Sequence, residues 1–555
     1  MKIYNKIFAV ALTGAMLASC NELDLEPQGS TITSDQKDQV LDVYPEMEAA
    51  CVNALPQNFK RLYAGVPKET LHNDYGLPSI FIMSDTRGQD MPSKDTGYNW
   101  YGASLAMSDF GGTYFQNIIT WKTYYNEIFS ANAVVKQFDK AEGEEISAQH
   151  KYYIAQGLGF RAFCYLQLAQ MYQFTYANNP EAPCLPVVTD KNAEEIAVSG
   201  SNPRKTVKET YEQIIADLDR CIEFLADAEK EKVTRGKEKK FISAAVAYGL
   251  RARANLVMQK WAAAESDAKQ AIALATKEGL APLSMNDAGQ PGFCDITAAN
   301  WLWGIQIDSS ESFTQGIVNF SSNMSSFLST GYSAAGVYRL ISKSLYALIP
   351  SGDVRKAWWL NAAAQPASSV PDAYKKYIAT PASAQKKFVP FANVKFGLKD
   401  ISGLTTMSNS GVPVGAKIGD SDVPLMRVEE LYLIQAEAEG MQTPSKGVTT
   451  LVNFVKTYRN KNYKLSAGSS QELQDAVWLQ RRIELWGEGF SYYDLLRLNK
   501  GVNRVGAGFD PKNVFQVAAT DPVLIYEIIQ EEAQSNKGIG DISNGASVPQ
   551  PVPDK

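Results

Sequence analysis

The stretch FISAAVAYGLRARANLVMQKWAAAESDAKQAIALA, residues 241–275, decides the fold. Its apolar residues return at helical intervals, three and four apart. Ala252, Ala264 and Ala271 are small at points where two antiparallel helices must approach closely, and Trp261 fills the large position at the turn between them. An alanine-rich helical hairpin standing alone is one reading of this unit. A stacked array of such hairpins is the other, because a single helical pair cannot bury its own apolar face.

Outward from this unit the chain supplies more helices. YYIAQGLGFRAFCYLQLAQMYQ, residues 152–173, reads as one helix, and TVKETYEQIIADLDRCIEFL, residues 206–225, returns after a long Pro-containing insert. In the latter Tyr211, Ile214, Ile215, Leu218 and Ile222 share one stripe. VEELYLIQAEAEGM, residues 428–441, pairs with GVTTLVNFVKTYRN, residues 447–460, where Leu451, Val452, Val455 and Tyr458 lie on one side. DAVWLQRRIELW, residues 475–486, is a final helix. The expected architecture is therefore mainly α, a scaffold of tetratricopeptide-like helical pairs with repeats of about 34 residues. The scaffold occupies about 30–280 and 421–500, within a single domain over 20–555. Between 281 and 420 the helical pattern gives way to Ser, Gly and Pro with a few short alternating runs such as WLWGIQID, residues 301–308. This is a large, irregular, loop-rich insertion carrying short strands, and its length and aromatic content point to function. The tail from about 540 to 555 is expected to be mobile.

The N-terminus sets a location. Lys2 and Lys6 precede a short apolar run from Ile7 to Leu17. That run falls short of the ~20 residues a membrane-spanning helix needs and has the form of a signal peptide over residues 1–19. Leu17-Ala18-Ser19-Cys20 resembles a bacterial lipobox, which makes Cys20 the expected lipid anchor. Glu22, Asp24 and Glu26 behind it resemble an acidic surface-export tag.

Composition narrows the classes further. The formal charge of -6 becomes more negative once two leader lysines are removed, which argues against a nucleic-acid partner. Cys51, Cys164, Cys184, Cys221 and Cys294 are an odd set without a close pair, so thiols are expected rather than a disulfide framework. With His72 and His150 the only histidines, a His-rich metal site is not expected. No cofactor is expected, although the acidic loops would allow a structural Ca²⁺. GLGFRA, residues 157–162, satisfies a dinucleotide fingerprint. It lies inside a helical run, where Gly and Ala serve close packing more simply. No G-x-S-x-G, P-loop or H-E-x-x-H is present. Paired carboxylates for glycoside hydrolysis impose no sequence spacing and so are neither supported nor excluded.

The block LQRRIELWGEGFSYYDLLRLNKG, residues 479–501, carries a family resemblance. Arg481, Arg482, Glu484, Leu485, Glu488, Gly489, Asp494, Leu495 and Arg497 resemble the E-R-R-x-E-L-x-x-E-G-x-R-x-x-D-L-x-R signature of the SusD/RagB family. LYLIQAEAE, residues 431–439, is similar to its upstream helix, and YLQLAQMYQF, residues 165–174, to its first long helix. Gln480 and Ser491 depart from the signature. Read without the family, Gly487 and Gly489 end the helix, and Arg and Glu three apart would pair on its surface. The resemblance implies a non-catalytic, cell-surface lipoprotein of the outer membrane that binds an oligosaccharide or polysaccharide. It also implies a lid on a SusC-like TonB-dependent importer. The competing readings are a surface glycoside hydrolase and a repeat scaffold that binds only protein.

Sugars offer flat C–H faces to aromatic rings and hydroxyls to side chains that both donate and accept. The densest such mixture is HNDYGLPSIFIMSDTRGQDMPSKDTGYNWYGASLAMSDF, residues 72–110, and the resemblance places glycan contacts in this part of the chain. The expected ligand-binding residues are Asp85, Arg87 and Asp90, then Tyr98, Asn99, Trp100 and Tyr101 after a turn, and the exposed-looking Tyr332 of the insertion. Tyr124 and Tyr125 belong to the core, and Trp301 and Trp303 share one buried strand face.

Overall fold

The structure is a computed structural model, and it describes residues 41, 43–94, 97–141, 143–311, 314, 316–326, 331–333, 335–363, 389–399, 406–407, 413–414 and 419–554. The leader, Cys20 and parts of the 281–420 insertion lie outside the described residues. Two compact units are distinguished, Met1–Asn53 and Ala54–Lys555. In the first, a short 3₁₀ turn spans Pro45–Met47. The second carries every feature discussed below.

Its main elements are helices α1 (Leu77–Arg87), α2 (Phe115–Phe138), α3 (Ala148–Tyr172), α4 (Val207–Lys230), α5 (Ala244–Val257) and α6 (Trp261–Lys277). Strands β1 (Trp301–Ile305) and β2 (Val423–Arg427) follow, then α7 (Val428–Gln442), α8 (Pro444–Tyr458), α9 (Ser470–Glu484) and α10 (Ser491–Arg497). The helices stack in chain order: α3 packs on α2 and α4, α5 on α4 and α6, and α7 on α6, α8 and α9. This is the expected tetratricopeptide-like scaffold.

Local chemistry explains the elements. The start of α4 is fixed by a capping box, in which Thr206 Oγ1 accepts from Glu209 N–H at 3.1 Å and the Glu209 carboxylate accepts from Thr206 N–H at 2.8 Å. Ala252, Ala264 and Ala268 meet Ile434 and Ala438 of α7 in one buried cluster, with Trp261 packed against it. The small residues therefore admit the next repeat as well as closing their own hairpin. Within α3, a Cβ added to Gly159 would lie 2.5 Å from Ile242 Cδ1, so this glycine serves close packing rather than a cofactor.

β1 pairs antiparallel with β2, joining the insertion to the scaffold. Trp301 and Trp303 are buried as expected, but one covered face is not the whole of it: every residue of β1 is buried, Leu302 between them included. Tyr124 and Tyr125 are in the core as expected. The tail, expected to be mobile, makes two hydrogen bonds to the body of the unit. Val552 N–H donates to the Val514 carbonyl at 2.8 Å, and Asp554 accepts from Gly506 N–H at 2.6 Å.

The charges of the 479–501 block also depart from expectation, being internal rather than superficial. The Glu484 carboxylate accepts from Arg459 at 2.8 and 2.9 Å, from Arg427 at 3.1 Å and from Arg355 at 3.2 Å. Glu488 accepts from Arg427 at 2.8 Å and from Lys395 Nζ at 2.6 Å, and Glu429 accepts from Arg459 at 2.9 Å. All of these side chains are buried. The arginines and the lysine hold Glu484 and Glu488 below the usual carboxylate range, against the effect of burial. Gln480 takes part, accepting from Arg355 at 2.5 Å. Gly489, at φ +81°, turns the chain out of this knot where a Cβ would meet Phe81 at 2.6 Å.

Breaking such a network at one partner leaves uncompensated buried charge, at a cost of about 3–5 kcal/mol. Arg427→Met is predicted to lose stability on that scale in urea unfolding. A loss below about 1 kcal/mol would show that the network is not a structural constraint.

Candidate functional site

Four rings from two distant parts of the chain meet on one face. His72 stacks on Trp100 with centroids 4.6 Å apart at 21°, and Tyr98 stacks on Tyr332 at 5.8 Å and 23°. The two pairs cross almost at right angles: Tyr98 meets Trp100 at 6.4 Å and 82°, and His72 at 6.0 Å and 88°. Tyr98 is 43% exposed, Trp100 and His72 are half-buried, and Tyr332 is only 2% exposed. Tyr332 is therefore not the exposed aromatic expected from its Ser- and Gly-rich surroundings; it backs Tyr98.

The His72 ring is tied to a second ring by one hydrogen bond. Its Nδ1 lies 2.6 Å from the Tyr332 hydroxyl, and burial pushes its pKa below the usual 6.5. The imidazole is therefore favoured in its neutral form, with one ring nitrogen a donor and the other an acceptor. Nothing in its residue type singled out His72 at the sequence level. Its place at the head of the aromatic-rich 72–110 stretch was the available signal.

Beneath the rings lies a buried polar floor. The Tyr101 hydroxyl is 2.6 Å from the Tyr75 hydroxyl and 2.9 Å from Ser79 Oγ, and burial raises its pKa to about 12. Asn73 Nδ2 donates to the Trp100 carbonyl at 3.1 Å, which fixes the height of the indole. Arg339 stacks over the Tyr101 ring at 4.7 Å and donates to Ser93 Oγ at 2.6 Å and Asn99 Oδ1 at 3.1 Å. Asn99 Nδ2 is buried with no acceptor among the described residues. Tyr101 is thus a floor residue, and Asn99 a hinge between floor and rings.

Asp85, Arg87 and Asp90 do not join them. Every residue of α1 is buried, so the helix presents no solvent face for Asp85 or Arg87. Asp85 accepts from Gly489 and Ser491 N–H at 3.1 and 3.3 Å, and burial lifts its pKa to about 7. Arg87 is ion-paired with Asp109 and donates to the Val523 carbonyl. Asp90 accepts from Arg482 at 2.6 and 2.9 Å and from Ser491 Oγ at 2.9 Å. Asp85 and Asp90 fasten the start of the platform loop to the 479–501 block, and Arg87 ties it to Asp109 and to the Val523 carbonyl. The carboxylates of Asp85 and Asp90 and the Nη groups of Arg87 all bond within the protein.

The described cysteines are free thiols, four of them buried and Cys51 partly so. Among the described residues no group of three or more His, Cys, Asp or Glu side chains could hold a metal ion. No helix among them is long and apolar enough to cross a membrane.

Comparison with known proteins bears on the whole arrangement. Residues 78–256 match a family described as starch-binding and associating with the outer membrane, and residues 403–554 match the SusD family. The chain belongs to the SusD/RagB family. The SusD-like protein P38 of Formosa agariphila is 29% identical over 103 residues, which are 17% of this chain and 20% of that protein. The aligned stretch thus spans about a fifth of that relative. A SusD-like carbohydrate-binding protein of Bacteroides vulgatus has the same fold, with a TM-score of 0.70 at 24% identity over 89% of this chain and 97% of that one. The surface glycan-binding protein A of Bacteroides thetaiotaomicron, solved in complex with laminarihexaose, gives 0.60 at 15% identity over 89% and 98%.

The lowered pKa of His72 carries a prediction with a defined sign. The folded state binds the proton less well than the unfolded chain, so the stability due to neutral His72 is present above pH 6.5 and is lost as pH falls through the lowered value. With two histidines in the chain, NMR titration against a His150→Gln variant resolves the ring. A His72 midpoint below 6.5 is expected, and a midpoint above it would mean the imidazole is held charged.

Proposed function

We propose that this SusD/RagB protein is a non-catalytic glycan-binding lipoprotein of the cell surface. In this reading it is anchored in the outer membrane through Cys20 and acts as the lid and substrate-binding subunit of a SusC-like TonB-dependent importer. The observation that carries the binding reading is the crossed ring cluster. The exposed Tyr98 and the half-buried Trp100 offer two aromatic surfaces set nearly perpendicular, each backed by a second ring. A pyranose presents a flat C–H face to one ring while its edge hydroxyls face the other. The free ring nitrogen of a neutral His72 and the Tyr98 hydroxyl supply polar contacts at the edges.

The fate of the acids supports binding without cleavage. Glycoside hydrolysis needs two carboxyls about 5–10 Å apart flanking the bond. Three acids of the ring-bearing stretch, Asp74, Asp85 and Asp90, are buried and committed, Asp74 to the N–H groups of Gly65 and Val66 and the other two to Gly489, Ser491 and Arg482. The laminarihexaose complex of a protein with the same fold makes β-glucan oligosaccharides a sensible first ligand to try.

The reading is tested by isothermal titration of the full chain carrying Cys20→Ser against laminarihexaose and a panel of other oligosaccharides, with product analysis of the same mixtures. Saturable binding without product is expected. Tyr98→Ala and Trp100→Ala are each expected to weaken it about tenfold, the scale of an aromatic contact of roughly 1–1.5 kcal/mol. Turnover of any glycan, or full affinity in both variants, would contradict the reading. Co-purification of the lipidated protein with a transporter tests the lid role, and a protein that purifies alone from mild detergent would count against it.

A further inference from the structure

Remote from the ring cluster in sequence, the ends of α4, α5 and α6 enclose a cavity of about 190 Å³. Leu225, Val233, Ile242 and Leu274 form its apolar wall. Beside the Glu229 and Glu278 carboxylates, the buried lining atoms left without a partner are Ser243 Oγ and Arg235 Nε. The carbonyls that end α4 are taken: Ala228 accepts from Glu231 and Val233 N–H, and Glu229 from Lys232 N–H. The carbonyls that end α6 are taken as well, Leu274 by Glu278, Ala275 by Leu280 and Thr276 by Gly279. What remains over is donors.

Three kinds of donor are left. The fourteen-residue α5 begins at Ala244, which lines the cavity, and its N-cap residue Ser243 makes no side-chain cap. The first-turn N–H groups therefore have no intrahelical acceptor. The Ser243 hydroxyl is itself buried without a partner. Arg235, 93% buried by its 7% exposure, spends its Nη groups on the Phe241 and Leu302 carbonyls and on Glu278, while its Nε–H has no acceptor. Buried donors without acceptors are rare enough in folded proteins to call for a ligand or water.

We propose that this cavity binds a small monocarboxylate with an apolar body about the size of a benzene ring. The carboxylate sits on the start of α5, where unbonded N–H groups and the helix dipole favour an anion, and takes the Ser243 hydroxyl and Arg235 Nε–H. The body fills the wall of Leu225, Val233, Ile242 and Leu274. A cavity of about 150 Å³ accepts benzene, so the volume suits one ring or a short branched chain. Charge restricts the anion to a single unit. Arg235 pairs with Glu278 at 2.5 Å and Lys277 with Glu229 at 2.9 Å, so the ionised lining residues sum to zero and carry two carboxylates that would oppose a dianion. The site is independent of the glycan reading, since none of its residues belongs to the ring cluster.

The test uses the full chain and three probes: benzoate, its uncharged isostere benzamide, and inorganic phosphate. Saturable binding of benzoate by isothermal titration is expected, with phosphate and benzamide each at least about tenfold weaker. Ser243→Ala is expected to weaken benzoate by about tenfold, as for a hydrogen bond to a charged group. Leu274→Trp, which fills the cavity, is expected to abolish binding, while Tyr98→Ala leaves it unchanged. Far-UV circular dichroism confirms that each variant is folded, and Leu274→Phe replaces any variant that is not. No benzoate binding, equal binding of benzamide, preference for phosphate, or full affinity in folded Ser243→Ala and cavity-filling variants would each overturn the proposal.

Discussion

Glu484 is fully buried, its two oxygens shared among Arg355, Arg427 and Arg459. Each arginine comes from a different piece of chain: the insertion, the end of β2 and the end of α8. A carboxylate so placed is expensive to bury and worth its burial only when every partner is present. Sequence elements some 130 residues apart are thereby held to one register, Arg355 and Glu484 at the extremes. Glu488, two arginine bonds further on, brings in Lys395 and a second part of the insertion. The irregular region is in this way pinned to the helical scaffold through Arg355 and Lys395.

The same block reaches the ring cluster by a second set of bonds. Arg482 holds Asp90, Ser491 bonds both Asp85 and Asp90, and Arg504 donates to the carbonyls of Thr86, Arg87 and Gly88. From Asp90 the chain runs beside 338–342, with Ser93 bridged to Arg339, and arrives at Tyr98. A ring platform needs its rings fixed to within a fraction of an ångström, and a loop alone does not supply that. Here the loop is anchored at its base by buried charge, and at its tip by the Tyr101 and Asn73 hydrogen bonds.

Much of this was legible in the sequence. The periodicity of 241–275 and the small residues at Ala252 and Ala264 announced close-packed helical pairs, and the pairs are there. The 72–110 stretch stood out for its aromatics, and Tyr98 meets both Trp100 and Tyr332. What the sequence hid was burial. A helix surrounded on all sides shows no amphipathic stripe, so Asp85 and Arg87 read as loop residues although α1 has no solvent face. For the same reason the charges at Arg481, Glu484 and Glu488 read as surface pairs rather than an interior knot. Tyr332 looked exposed because its neighbours are Ser and Gly, yet its exposure is set by Tyr98, which lies more than two hundred residues away. His72 had no signal of its own type and gains its role only from the two rings that flank it.

The account rests on the ring cluster being the place where ligand sits. The most direct measurement is a crystal structure of the protein with a glycan shown to bind it. The account predicts a sugar ring lying flat on Trp100 or Tyr98 at van der Waals distance, about 3.5–4 Å, with a hydroxyl within hydrogen-bond reach of His72 Nε2. Sugar density at a position touching none of His72, Tyr98 and Trp100 would contradict it.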